Sequence, residues 1–134
     1  MGKVTVTVEI TDNNYAAYLD ELPGCVSTGK TFEELKQNIA DAVEFHLDGM
    51  REDGDEIPSA FATDYELIYK FDPQSLLILY NGIFTNAALE RLTGINQRQL
   101  QRYSAGTSRP RREQSSRITH ALHHLGRELL AVEL

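Results

Sequence analysis

The residues best suited to chemistry in this sequence lie between Gln97 and Arg112. Gln97, Arg98, Gln101 and Arg102 fall at helical spacings that put all four on one side of a helix. Leu100 and Tyr103 occupy the opposite side. An arginine can offer two hydrogen bonds to guanine, and a glutamine can offer a donor and an acceptor to adenine. Gln97 and Arg98 stand in the first turn, the end of a recognition helix that enters the major groove. Thr107-Ser108-Arg109-Pro110-Arg111-Arg112 follows at once, a loop dense in phosphate-binding groups. The chemistry is that of a DNA reader: Gln97, Arg98, Gln101 and Arg102 for base edges, Arg109, Arg111 and Arg112 for phosphates.

Other groups with chemical potential do not assemble into a motif. Asp12, Asp20 and Glu21 sit near strand ends and could supply part of a two-metal nuclease site, which needs several converging carboxylates. Nothing in the sequence brings them together. His120, His123 and His124 share a helix, and His120 and His124 are one turn apart, but no carboxylate completes a metal site. Cys25 follows a strand-breaking turn and reads as a small buried filler. No catalytic residue, metal ligand or cofactor is assigned.

Composition bounds the rest. Of 134 residues, 41% are hydrophobic and 25% charged, which excludes a wholly disordered or collagen-like chain. The longest apolar run, Leu76–Tyr80, is far short of the roughly 20 residues that cross a bilayer. A single cysteine cannot form an internal disulfide, and a cytoplasmic protein is expected. The net charge of −7 hides a split. Residues 1–84 carry five basic and 16 acidic side chains, or −11, whereas residues 85–134 carry eight arginines and four glutamates, or +4. Opposite charge in the two halves suggests two parts with different partners.

The elements that position these groups follow from periodicity. Val4, Val6, Val8 and Ile10 alternate with Thr5, Thr7 and Glu9, predicting a strand with one buried face. Asp12-Asn13-Asn14 is turn chemistry, so Tyr15–Leu19 makes a hairpin with it, and Cys25–Gly29 makes a short third strand. Thr31 caps a helix, with Glu34 placed to complete a capping box. Phe32, Leu35, Ile39, Val43, Leu47 and Met50 form its apolar stripe. Gly54 and Pro58 end it, and Glu66–Phe71 is a fourth strand. The fold class is therefore α+β for the first part.

Asp72-Pro73 marks the joint between two domains, 1–72 and 73–134, because aspartate caps helices and proline suits their first position. Pro73–Asn81 is an almost wholly apolar helix ended by Gly82. Ala88, Leu89 and Leu92 form the inner face of the next helix. Gly94 permits a tight left-handed turn, Ile95 plugs the gap, and Asn96 caps the following helix with Gln99 as its return partner. Two helices joined by three residues predict a helix-turn-helix. A last helix carries the stripe Ile118, Leu122, Leu125 and Leu129.

The stretch from Asn86 to Gly106 resembles the Cro/repressor-type, or XRE-like, helix-turn-helix, over about residues 74–125. The resemblance implies base contacts from Gln97, Arg98 and Arg102 and phosphate contacts from Asn86, Arg109 and Arg112. Asn86 stands where that family most often has glutamine. The first part carries a second resemblance. Leu22-Pro23-Gly24-Cys25, Gly29-Lys30-Thr31-Phe32-Glu33-Glu34, Asn38, Ala42 and Ile57-Pro58 together resemble HicB, the antitoxin of HicA–HicB toxin–antitoxin systems. That resemblance implies a partial RNase H-like fold of three strands, a helix and a strand, followed by an all-α domain. It also implies a partner, the small basic ribonuclease HicA.

A domain at −11 suits a basic nuclease, since complementary charge speeds encounter and fixes orientation. Glu33, Asp41, Glu44 and Asp48 are the candidate toxin contacts, with Asp53 and Asp55 beyond them. The expected function is an antitoxin that neutralises an mRNA-cleaving ribonuclease and represses its own operon by binding operator DNA. Apolar surface in Pro73–Asn81, Phe84 and Leu129–Val132 predicts a homodimer or higher even oligomer. The alternatives are a transcriptional regulator whose first domain binds a small ligand or another protein, and a metal-dependent nuclease.

Overall fold

In the computed structural model, which describes residues 2–134, the chain divides between Asp72 and Pro73 into two compact units. The first contains β1 (Gly2–Ile10), β2 (Tyr15–Tyr18), β3 (Val26–Gly29), α1 (Phe32–Glu52) and β4 (Tyr65–Phe71). The strands form a mixed sheet in the order β3-β2-β1-β4. β1 runs antiparallel to β2 and parallel to β4, with Val4, Val6 and Val8 opposite Leu67, Tyr69 and Phe71. The alternation in β1 thus resolves as predicted: Val4, Val6 and Val8 are buried, Lys3, Thr5 and Glu9 exposed.

α1 covers the valine face. Leu35, Ile39, Val43 and Leu47 are buried against it, with Phe32 and Met50 half-buried at the ends of the stripe. Thr31 Oγ1 accepts from the Glu34 N–H at 3.0 Å and sets the helix start. Phe32 packs edge-to-face on Tyr69 and Phe71, with centroids 5.4 and 5.2 Å away. Leu22-Pro23-Gly24-Cys25 is a tight turn: the Cys25 N–H donates to the Leu22 carbonyl at 3.0 Å, and Gly24 has φ +87°. Leu22 and Cys25 are buried by it.

Gly29 is there for closeness. A β-carbon at that position would lie 2.6 Å from the backbone nitrogen of Leu35, so only glycine lets the first turn of α1 sit on β3. Asn38 Nδ2, donating to the Thr28 carbonyl at 2.8 Å, ties the helix to the same strand. Sequence periodicity does not reveal the short 3-10 turn Ser59–Phe61, which buries Phe61 beneath Tyr65. Among the described residues of this unit none covers the outer face of the sheet, where Tyr18, Val26 and Ile68 are exposed.

The second unit is helical: α2 (Pro73–Leu79), α3 (Asn86–Thr93), α4 (Gln97–Ala105) and α5 (Arg112–Leu130). Its core is Leu77, Leu89, Ile95, Leu100, Tyr103 and Ile118, with Leu76, Phe84 and Leu122 packed around it. The α+β class, with a strand-and-helix region followed by a helical part, is as expected. Three local expectations are corrected. α2 ends at Leu79, and the chain then turns through Tyr80, whose carbonyl accepts from Ile83 and Phe84, so Gly82 is not its cap. Leu92 is exposed, and Thr93 is buried in its place. Leu129, expected in the inner stripe of α5, is 60% exposed, because the helix runs past the core that covers Ile118. Among the described residues no helix is long and apolar enough to cross a membrane.

Candidate functional site

The turn between α3 and α4 is built from local hydrogen bonds that leave one face of α4 open. Thr85 Oγ1 caps α3 by accepting from the Ala88 N–H at 3.0 Å. At the other end Gly94 takes φ +76°, the left-handed conformation that glycine adopts without strain. Thr93 earns its burial by bridging: its hydroxyl donates to the Leu89 carbonyl at 2.7 Å and accepts from the Ile95 N–H at 3.1 Å. Ile95 fills the gap between the helices.

α4 begins with two capping acceptors. Asn96 Oδ1 accepts from the Arg98 N–H at 2.8 Å, as expected of an N-cap. Glu90 Oε2, which the sequence reading did not single out, accepts from the Gln97 N–H at 3.2 Å. A carboxylate at a helix N-terminus satisfies an otherwise unpaired donor and complements the helix dipole. Leu100 and Tyr103 anchor the inner face of α4. Gln97, Arg98, Gln101 and Arg102 are all exposed on the remaining surface.

Side-chain bonds order part of that surface. Asn86 Nδ2 donates to Gln101 Oε1 at 2.9 Å, so these two amides act together, and Gln101 keeps its NH2 group for a further acceptor. Gln99 is not the return partner of Asn96. Its Nε2 donates to Ser108 Oγ at 3.1 Å, and its Oε1 accepts from Arg102 at 3.2 Å. Gln99 thus links Arg102 to the loop after α4. Arg109 and Arg111 lie exposed in and at the end of that loop. Arg112, expected in the loop, is the first residue of α5. Among the described residues Arg98, Arg109, Arg111 and Arg112 form no ion pair, so their guanidinium groups face solvent uncommitted.

The four candidate acids lie on α1. At 100° per residue Glu33, Asp41, Glu44 and Asp48 fall within an arc of about 80°. Each is already engaged. Glu33 pairs with Lys36 at 2.6 Å, Asp48 with Arg51 at 2.9 Å, and Asp41 accepts from the Gln37 amide at 3.0 Å. Glu44 accepts from the Tyr65 hydroxyl. Burial, then that bond to the Glu44 carboxylate, pushes the Tyr65 phenol up to about 12. Beside this pair runs an open groove lined by Ala40, Arg51, Phe61, Asp64 and Leu67. Asp53 and Asp55 are exposed beyond the helix. The sequence offered no sign of the Tyr65–Glu44 bond, which joins residues 21 apart.

The remaining candidates stay dispersed. Asp12, Asp20 and Glu21 are exposed, and among the described residues no group of three or more His, Cys, Asp or Glu could hold a metal ion. His124 pairs with Glu128 at 2.9 Å on its own helix. Cys25 is buried, and burial raises its thiol pKa, which keeps it a poor nucleophile.

The chain is similar to several known proteins. A protein called UPF0150 from Helicobacter pylori is 38% identical over 50 residues, 37% of this chain and 69% of that one. A UPF0150 protein from Synechocystis is 36% identical over 67 residues, half of this chain and 76% of its own length. An uncharacterized 14.9 kDa protein from the rep-hol intergenic region of Haemophilus phage HP1 is 34% identical over 55 residues. That match spans 41% of each chain, so this chain covers less than half of the phage protein. Residues 4–72, just over half of the sequence, match the family described as HicB_like antitoxin of bacterial toxin-antitoxin system. The chain belongs to the HicB-like antitoxin family.

Proposed function

We propose that the chain neutralises a HicA-type, mRNA-cleaving ribonuclease with residues 1–72 and represses its own operon with residues 73–134. The observation that carries the first half is family membership over residues 4–72, the stretch in which α1 presents an arc of carboxylates. A basic ribonuclease covered by an anionic surface is attracted over a distance of about 10 Å at 0.1 M salt and is barred from its anionic substrate. The role is regulatory: the chain occludes an enzyme rather than being one.

The second half is supported by α3, the Gly94–Asn96 turn and α4, read as a helix-turn-helix. Gln97, Arg98, Gln101 and Arg102 would read base edges, while Asn86, Arg109, Arg111 and Arg112 would hold phosphates. Exposed Ile78, Ile83, Leu129, Leu130 and Val132 supply apolar surface for a homodimer or higher even oligomer. Two-fold pairing suits a palindromic operator, with recognition helices about 34 Å apart. Co-purification with the product of a small basic reading frame beside its gene tests the toxin half, and an operator mobility shift tests the DNA half. Operator binding without a toxin partner would support a regulator of another kind.

A further inference from the structure

Phe45 is out of place on α1. The helix buries Leu35, Ile39, Val43 and Leu47 against the sheet, yet Phe45 points away from that stripe and is 83% exposed. Among the described residues of the first unit none covers it. An exposed phenyl ring surrounded by polar residues is a frequent mark of a protein contact, since aromatic anchors are enriched at interface centres. Its surroundings define the partner. Asp41, four residues before, and Asp48, three residues after, flank the ring on the same exposed surface. Gly49, one turn on, has no atom within 4 Å of where a β-carbon would stand, so that flank of the ring is open.

We propose that Phe45 is the apolar anchor of the antitoxin's partner-binding face, seated in an apolar pocket of a basic protein whose lysines or arginines meet Asp41 and Asp48. This rests on the toxin-binding reading above. Charge selects the occupant. With −11 on residues 1–84, the surface repels nucleic acid, anionic lipid and a second copy of itself, and attracts a cationic protein. The ring then supplies the contact energy that exposed ion pairs lack.

The test is calorimetric titration of the full chain with a HicA-type ribonuclease, taken from a small basic reading frame beside its gene where one is found. Phe45→Ala should weaken binding roughly 30-fold or more, the loss expected of an interface anchor, with unchanged thermal unfolding because the ring buries nothing in the free chain. Asp41→Asn with Asp48→Asn should weaken binding and flatten its salt dependence. Val26→Ala with Ile68→Ala, on the uncovered sheet face, should stay within about two-fold of the unaltered chain. If the unaltered chain does not bind the ribonuclease, the antitoxin reading itself falls. If it binds and Phe45→Ala stays within two-fold, or the sheet-face variant alone loses binding, the docking proposal is overturned.

Discussion

Replacing Gly29 and Gly49 by alanine should shift stability in opposite directions. At Gly29 the new β-carbon would lie 2.6 Å from Leu35 N and 2.9 Å from Leu35 Cα, both backbone atoms. The shorter contact is about 1 Å inside ordinary contact distance, and no rotamer can relieve it. Either β3 or the first turn of α1 must retreat. Retreat strains the Thr31 cap and the Asn38 bond to Thr28. Overpacking of this kind costs about 1–3 kcal/mol and a disturbed cap about 1 kcal/mol, so a loss of roughly 2 kcal/mol or more is expected. In a unit of this size that lowers Tm by roughly 8–16 °C. At Gly49, inside α1, nothing stands within 4 Å, and alanine should stabilise by about 0.5–1 kcal/mol through helix propensity. Urea unfolding of both variants, followed by circular dichroism, reads the two signs. A Gly29→Ala variant within about 0.5 kcal/mol of the unaltered chain would refute the close-packing argument.

Other consequences follow for pH, reactivity and DNA. The fold holds the Tyr65 proton more tightly than the unfolded chain does, so this contribution to stability is complete below pH 10 and is lost as pH rises toward 12. Tyr65→Phe should remove that part of the alkaline decline in denaturant midpoint, and an unchanged profile would count against a Tyr65 phenol raised by burial and by Glu44. Cys25 should resist alkylation until the chain unfolds, as mass spectrometry across a urea series will show. Arg98→Ala should cost operator binding about 1–3 kcal/mol and relax preference at one position per half-site. Arg112→Ala should weaken operator and scrambled DNA alike and lower the salt slope by about one per lost phosphate contact. Titrations at several salt concentrations separate the two, and equal loss on both DNAs for Arg98→Ala would remove the base-reading role.

Much of the fold was legible because its signals are local. The period of two in Val4–Ile10, the stripe from Phe32 to Met50, the Thr31 cap and the Gly94 turn each act within a few residues. What the sequence hid depends on tertiary neighbours. Leu92 and Thr93 exchange places because a hydroxyl that bonds Leu89 and Ile95 can be buried at little cost. Gln99 is drawn from the Asn96 cap to Arg102, one turn on, and to Ser108, which only the folded loop brings near. The acids of α1 could be placed on one arc from their spacing, but the Tyr65 partner of Glu44 comes from a distant strand. Phe45 drew no notice from the helical pattern, which marks the buried stripe and the acids, and only its 83% exposure in the folded chain sets it apart.

We propose that this chain silences a toxin by covering it. The most direct measurement is RNA cleavage by the purified HicA-type ribonuclease titrated with the full chain. Cleavage should fall to background at a fixed molar ratio, with a complex of the two proteins recovered by gel filtration. Undiminished cleavage at excess chain, with both proteins eluting separately, would contradict it.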